Sequence, residues 1–297
     1  MDNGDKYVGI SSDSGAEVRL NEELAPYTSY GTGGKADAVF FPESAESARL
    51  VVKGVKEAGL PFVFLGNGTN VLASDDGYRG AVISVKKLKG ITVRGKTLTA
   101  MAGDSLADVL TAALYNSLGG WEFLSGIPAS VGGAVAMNAG CFGKNIGDYV
   151  SYVISVSGIY AAADCGFGYR KSRFLEEGDG VLSVCFDLEN VEYDQAENKV
   201  GYYTGLRRGR QPKGRSCGSV FKNDGYFAGK VIESAGLKGH RVGKAFVSEK
   251  HANFIIAEPG ATSRDISRLI EHIKSTVKEK CNVGLTEEIQ YLGEFGK

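Results

Sequence analysis

The sequence predicts a protein of mixed α and β structure with two domains, and three observations carry that reading. The chain has 297 residues, which at roughly 100–200 residues per domain gives two domains or three small ones. Segments with the apolar period of a helix alternate with short apolar or alternating runs that read as strands. Glycine contributes 42 residues and proline only 6, so glycine is about twice its usual ~7% share. No collagen period is present, so many of these glycines mark positive φ or close backbone approach.

Taken in order, residues 1–17 show weak periodicity and are expected to be loosely ordered, with organised sequence starting near Val18. Ser44 to Gly59 puts Ala48, Val51, Val52 and Val55 on one helical face, with Ser44 as N-cap and Gly59 as C-cap. Phe62–Leu65 follows as a buried strand, so the opening is a βαβ-like unit. Ala81–Val85 reads as a strand, and Ile91–Val93 with Leu98–Ala100 as a hairpin turning at Gly95-Lys96. Leu106, Val109, Leu110, Ala113 and Leu114 mark a second helix, closed by Gly119-Gly120. Beyond a glycine-rich stretch, Val150–Tyr160 and Val181–Leu188 read as strands. The polar segment Asn190–Lys199 looks like a boundary. Ser263–Lys280 carries the apolar stripe Ile266, Leu269, Ile270, Ile273 and Val277, and Leu285–Leu292 reads as a final strand.

Composition excludes several classes. Lys and Arg number 34 against 35 Asp and Glu, a formal net charge of −1 with no basic run. Nucleic-acid binding, which needs clustered cations, is therefore not expected. No apolar run approaches the ~20 residues of a membrane helix, and the polar, acidic start MDNGDKYVGI is no signal peptide. Five cysteines, odd in number and without a CxxC, fit a reducing cytosol. His240, His251 and His272 lack metal-ligand spacing, so no metal is expected.

Two glycine loops carry the functional signal. Gly66-Asn67-Gly68-Thr69-Asn70 follows the strand Phe62–Leu65, and such a turn can aim backbone N–H groups at phosphate oxygens. It has neither the GK[ST] ending of a Walker A loop nor a GxGxxG entering a helix, and a ligand-free tight loop is the even alternative. Gly126 to Gly140 (GIPASVGGAVAMNAG) leaves almost no side-chain bulk over fifteen positions. Such a stretch either packs against another backbone or lies along a large flat ligand. Two such loops suggest one extended ligand, a dinucleotide, with a tightly packed glycine corner as the other reading.

From here the residues resemble a known family, the UDP-N-acetylenolpyruvoylglucosamine reductases (UDP-N-acetylmuramate dehydrogenases). The blocks, in order, are Thr28–Ala36 (TSYGTGGKA), Leu65–Leu72 (LGNGTNVL), Gly126–Gly140, Cys165–Phe174 (CGFGYRKSRF), Cys217–Asn223 (CGSVFKN), Ala228–Gly239 (AGKVIESAGLKG), Val247–Ile255 (VSEKHANFI) and Glu288–Gly293 (EIQYLG). Single blocks are weak; this many in order, from about Val18 to the end, are specific. The resemblance implies an α+β fold: a two-lobed FAD-binding region of the vanillyl-alcohol-oxidase type, residues 18–80 and 81–192, and a smaller C-terminal α/β substrate domain, residues 193–297. The short length resembles the subclass lacking a tyrosine loop over the substrate. Ala129, Asp224, Ala257 and Thr69 depart from the usual Gly, Pro, Asn and Ser. The Ala129 methyl is tolerable only at negative φ.

The resemblance also implies the chemistry: non-covalent FAD, NADPH as hydride donor, and UDP-N-acetylglucosamine enolpyruvate as substrate, in cytoplasmic peptidoglycan-precursor synthesis serving cell-wall growth, cell shape and division. A monomer is expected. Hydride addition to the enolpyruvyl double bond leaves negative charge on the adjacent carbon and its carboxylate, which needs a cation and a proton. Arg170 matches the family arginine that polarises the carboxylate; without the motif it reads as a surface arginine. Ser219 matches the proton donor; by itself it is a turn serine after Gly218. Glu288 matches the glutamate that helps stabilise the intermediate, with Glu287 the neighbour to exclude. Gly66, Asn67, Gly68, Thr69, Asn70, Gly126, Ile127, Pro128, Ser130, Gly132, Gly133, Asn138 and Gly140 would hold the cofactor. Tyr169, Arg207, Gln211 and Asn223 would meet the substrate, and Arg207 phosphate or flavin. His251 and Cys217 read as structural. An FAD oxidase of the same fold would lack the GSVFKN and terminal Glu pattern. A non-catalytic binder would be favoured by loss of Arg170, Ser219 or Glu288, and all three are present.

Overall fold

A computed structural model of the chain describes residues 3–295. The chain divides into two compact units, each built from separate stretches: residues 1–20, 37–67 and 80–207 form the first, and residues 21–36, 68–79 and 208–297 the second. The chain leaves and re-enters each unit, so neither follows one contiguous stretch of sequence.

In the first unit, the helix Ala45–Glu57 starts where the hydroxyl of Ser44 accepts from Ser47 N, and Gly59 beyond its end takes φ +66°. Its buried face is Ala48, Val51, Val52 and Val55, the stripe the spacing predicts. Phe62–Leu65 pairs in parallel with Ala81–Ser84. The sheet order is Glu17–Glu23, Lys35–Phe41, Tyr78–Ser84, Phe62–Leu65, so a later strand is inserted between the two strands that flank the helix. The second sheet is antiparallel throughout, in the order Ile159–Ala161, Val150–Ser155, Val181–Asp187, Thr97–Met101, Ile91–Arg94. Its last pair turns at Gly95-Lys96, with Arg94 opposite Thr97.

Several sequence expectations are corrected. Asn3–Ser14 is a helix rather than a loose segment, with Tyr7 and Ile10 buried in the core beside Val51, Val52 and Val55. Only three of its positions are buried, so its periodicity is faint; docking, not amphipathicity, holds it. Val150–Tyr160 is not one strand but a hairpin broken at Ser157-Gly158, where Ser155 N donates to Gly158 O at 2.8 Å. The helix from Leu106 ends at Tyr115, before Gly119-Gly120, because Ser117 takes φ +54° and breaks the ladder. The polar segment Asn190–Lys199 holds the start of the helix Tyr193–Arg210, whose only buried residue is Ala196, leaving no stripe to read.

Helix Asn3–Ser14 packs on Gly54. A Cβ there would lie 2.8 Å from Ile10 Cγ1 and 3.1 Å from Cγ2. Gly54→Leu is therefore expected to destabilise the protein by about 1–3 kcal/mol through overpacking, despite leucine's better helix propensity. Adding Ile10→Ala should recover part of that loss. A denaturant midpoint unchanged by Gly54→Leu alone would show the helix is not held by this contact.

The second unit contains an antiparallel sheet of Arg241–Val242, Ala245–Val247 and Ile255–Ala257. The helix Ser263–Cys281 packs on it through Ile266, Leu269, Ile270, Ile273 and Val277. That helix opens with a capping box, Thr262 to Asp265, and closes at Asn282 with φ +53°. Only Gln290–Leu292 of the expected terminal strand is regular, pairing in parallel with Val71–Ala73. A two-residue-period pattern over Leu285–Leu292 overstated it, since Leu292 is buried while Tyr291 is 40% exposed.

Candidate active site

In the first unit Gly66 and Asn67, which open the first glycine loop, meet the segment Gly126–Gly140. Asn67 Nδ2 donates to Pro128 O at 3.1 Å, and a Cβ on Gly66 would collide with Ser130 Oγ. Ser130 caps the six-residue helix Val131–Ala136, accepting from Gly133 N at 3.3 Å. Gly132 is tight against the protein itself: its N–H donates to Ala102 O at 2.9 Å, and a Cβ would sit 2.8 Å from Ala102 Cβ. Ala129 avoids positive φ, as its methyl requires.

The loop Cys165–Phe174 is laid on the end of this glycine segment. Asn138 Nδ2 donates to Gly168 O at 2.8 Å, and Ser172 Oγ donates to Ala136 O at 2.6 Å. Gly168 and Lys171 exchange backbone bonds of 3.0 and 3.2 Å, placing Tyr169 and Arg170 at the tip of a tight turn. Arg170 takes φ +54° there, an unusual conformation for a non-glycine residue. Its Nη2 donates to Gly140 O at 3.0 Å, and its Cζ lies 5.1 Å from the centre of the Tyr169 ring. Backbone strain of about 1–3 kcal/mol persists where the surroundings over-determine it, and these bonds do so.

Arg207 is committed within this unit. Its Nε donates to Ser125 O and its Nη2 to Phe123 O, both at 2.8 Å, and Nη2 lies 2.7 Å from Cys141 Sγ. The arginine expected at substrate or phosphate thus ties down the turn that precedes Gly126.

The second unit holds Gly68, Thr69, Asn70, Gln211, Ser219, Asn223 and Glu288. Ser219 lies in a segment clamped on both sides. Val220 N donates to Asn253 O at 2.8 Å, and Glu288 N donates to Val220 O at 2.7 Å. Lys222 N donates to Thr286 O at 2.8 Å. Asn253 is 2% exposed, and its side chain accepts from Phe221 N at 2.9 Å and donates to Phe221 O at 2.8 Å. Asn253 is not among the sequence-predicted site residues; its signal is a lone amide inside the apolar run Ala252–Ala257. Asn223 Oδ1 accepts from Ala228 N at 2.9 Å and so closes its own loop.

The neighbouring groups separate cleanly. Glu287 pairs with Lys274 Nζ at 2.9 Å, on the helix Ser263–Cys281. Asn70 Nδ2 donates to the carbonyl of Glu288 at 3.0 Å. The Cys217 thiol is buried beside Ser29 Oγ and Val71 O, and burial pushes its pKa up to about 12. A thiol that burial keeps protonated is a poor nucleophile, in keeping with the structural reading of Cys217. His251 Nδ1 accepts from Asn253 N at 3.2 Å, and burial lowers its pKa.

Comparison with known proteins decides the family. Residues 36–163 match the family described as an FAD binding domain, and residues 211–292 match the C-terminal domain of UDP-N-acetylenolpyruvoylglucosamine reductase. The chain is 39% identical over 288 residues to the reductase of that name from Streptococcus uberis, covering 95% of each. It is 42% identical to the one from Streptococcus pyogenes, covering 94% of this chain and 97% of that one. The chain belongs to the UDP-N-acetylenolpyruvoylglucosamine reductase family. The crystal structure of the reductase from Thermus caldophilus superposes with a TM-score of 0.80 at 33% identity, covering 93% of this chain and 98% of that one. As a reductase of this family the chain is an FAD-dependent oxidoreductase with an α+β fold, an FAD-binding domain followed by the reductase C-terminal domain.

The first unit's geometry fits the cofactor of the reductase family. Along Gly126–Gly140 the half-exposed positions are Ile127, Ala129, Gly133, Ala136, Met137, Ala139 and Gly140. That is a shelf with little side-chain relief. Among the described residues, and leaving aside the backbone of its own helix, a Cβ on Gly133 would have within 4 Å only Ser130 Oγ, at 3.2 Å. Gly132, by contrast, is spent on internal packing against Ala102.

Proposed function

We propose that the protein catalyses NADPH-dependent reduction of UDP-N-acetylglucosamine enolpyruvate to UDP-N-acetylmuramate through non-covalent FAD, in cytoplasmic peptidoglycan-precursor synthesis. The observation that carries this reading is identity of about 40%, over almost the whole chain, to proteins named for that reduction. Retention of Arg170, Ser219 and Glu288 supports it. We assign residues 18–80 and 81–192 to the flavin-binding lobes and 193–297 to substrate binding.

FAD would relay the hydride between NADPH and the enolpyruvyl double bond. Its diphosphate and flavin would lie along Gly66–Thr69 and the shelf of Gly126, Ile127, Pro128, Ser130, Gly133, Asn138 and Gly140, with Gly132 supporting the shelf from behind. Arg170 would pair with the substrate carboxylate as negative charge develops there, because a guanidinium fork matches a carboxylate. Ser219 Oγ would give its proton to the carbon carrying that charge and regain one from solvent. Glu288 would act beside Ser219, whose segment accepts the Glu288 backbone N–H. Tyr169, Gln211 and Asn223 would line the sugar-nucleotide path, and Arg207 would hold the turn that starts the shelf. Among the described residues no helix is long and apolar enough to cross a membrane.

The purified protein is expected to be yellow. Its flavin band should bleach with NADPH and return on adding the enolpyruvyl substrate, and acid denaturation should release the flavin from the polypeptide. A colourless preparation that takes up no FAD would sink the reading, as would a reduced band indifferent to the substrate.

A further inference from the structure

Asn70 stands in the glycine loop expected to face the cofactor, yet its side chain is turned elsewhere. Its Nδ2 donates to Glu288 O at 3.0 Å, and the Asn70 main-chain carbonyl accepts from Gln290 N at 2.8 Å. Immediately beyond, Val71–Ala73 and Gln290–Leu292 run as a parallel pair. Glu288 is thus fixed at both ends of its backbone: its N–H by Val220 O at 2.7 Å, its carbonyl by Asn70. Gln290 Nε2 also reaches that carbonyl, but at 3.3 Å.

We infer that Asn70 is a positioning residue for Glu288: its amide sets the orientation of the Glu288 peptide and hence the direction in which the carboxylate leaves the backbone. The chemistry requires an amide here. The acceptor is a carbonyl, so the partner must be a donor. Asp is almost the same size but would face that carbonyl with a second acceptor. Without the Nδ2 bond the Glu288 carbonyl loses its 3.0 Å donor while the Gln290 contact is longer, at 3.3 Å, so the peptide between Glu288 and Ile289 is held less firmly. A displacement of about 1 Å at a reacting group can cost on the order of 100-fold in rate.

This inference rests on the proposed role of Glu288, and the experiment separates the two. Asn70→Asp and Asn70→Ala are measured as holoenzyme, with Glu288→Gln and the Asn70→Ala/Glu288→Gln double variant beside them. Both Asn70 variants should keep FAD content and the rate of flavin bleaching by NADPH. Return of the band with enolpyruvyl substrate should slow by about 10–100-fold. The double variant should be within about twofold of Glu288→Gln alone, since coupled residues are not additive. Amide hydrogen exchange in a peptide covering residues 286–292 should accelerate in Asn70→Ala, a readout independent of turnover. Should Asn70→Ala not fold, Asn70→Asp preserves the volume and answers the same question. Loss of FAD from Asn70→Asp overturns the inference by making Asn70 a cofactor ligand. Equal slowing of both half-reactions, or multiplicative effects in the double variant, overturns it too. A Glu288→Gln enzyme with full activity would instead remove the role of Glu288 on which the inference stands.

Discussion

Ser219→Ala should leave reduction of the flavin by NADPH nearly intact while reoxidation by the enolpyruvyl substrate collapses. Losing a positioned proton donor costs about 10²–10⁴-fold. The fold should tolerate the change. The Ser219 segment is held by main-chain bonds from Val220 to Asn253 and from Glu288 to Val220, and by the Asn253 clamp on Phe221, none of which uses the serine hydroxyl. Stopped-flow traces of the two half-reactions are the measurement. Equal slowing of both would mean that Ser219 shapes the flavin site or the fold. If neither slows, the assignment fails and another donor, such as a bound water or Cys217, carries the proton.

Gly132→Val is expected to abolish FAD retention. The new side chain would enter space already occupied, with its Cβ 2.8 Å from Ala102 Cβ and 3.3 Å from Ala102 O. Gly132 N also donates to that same carbonyl at 2.9 Å, so the neighbour cannot withdraw without breaking the bond. Overpacking of this kind costs about 1–3 kcal/mol, against a total stability of roughly 5–15 kcal/mol. The protein should therefore fold, with its shelf displaced. Gly201→Ala is the control, because nothing lies within 4 Å of a Cβ there. The flavin-to-protein absorbance ratio and the denaturant midpoint report the two effects, and Ala102→Gly should partly restore both. Full FAD occupancy in a folded Gly132→Val protein would show that this part of the loop does not govern cofactor binding.

The sequence by itself determined the elements with strong local periodicity. The helices Ala45–Glu57 and Ser263–Cys281 fall where their apolar stripes lie, with Ser44 capping the first. Each buries a face wide enough to be written into the spacing. Ordered motif blocks likewise make the family and its FAD legible, because close-approach glycines and motif side chains are chosen for local chemistry. The structure decided what depends on contacts remote in sequence. Asn3–Ser14 is a helix because Tyr7 and Ile10 meet a core formed much later in the chain. The strand Tyr78–Ser84 is inserted into the first sheet by pairing preferences no local window contains. The same holds within the candidate site. Gly132, expected at the cofactor, faces Ala102; Arg207, expected at the substrate, is bonded to Phe123 and Ser125; Asn70 reaches Glu288 across 218 positions. A side chain's type shows what bonds it can make, but which partner satisfies it is settled only when burial removes water and each polar group must find a partner within the protein.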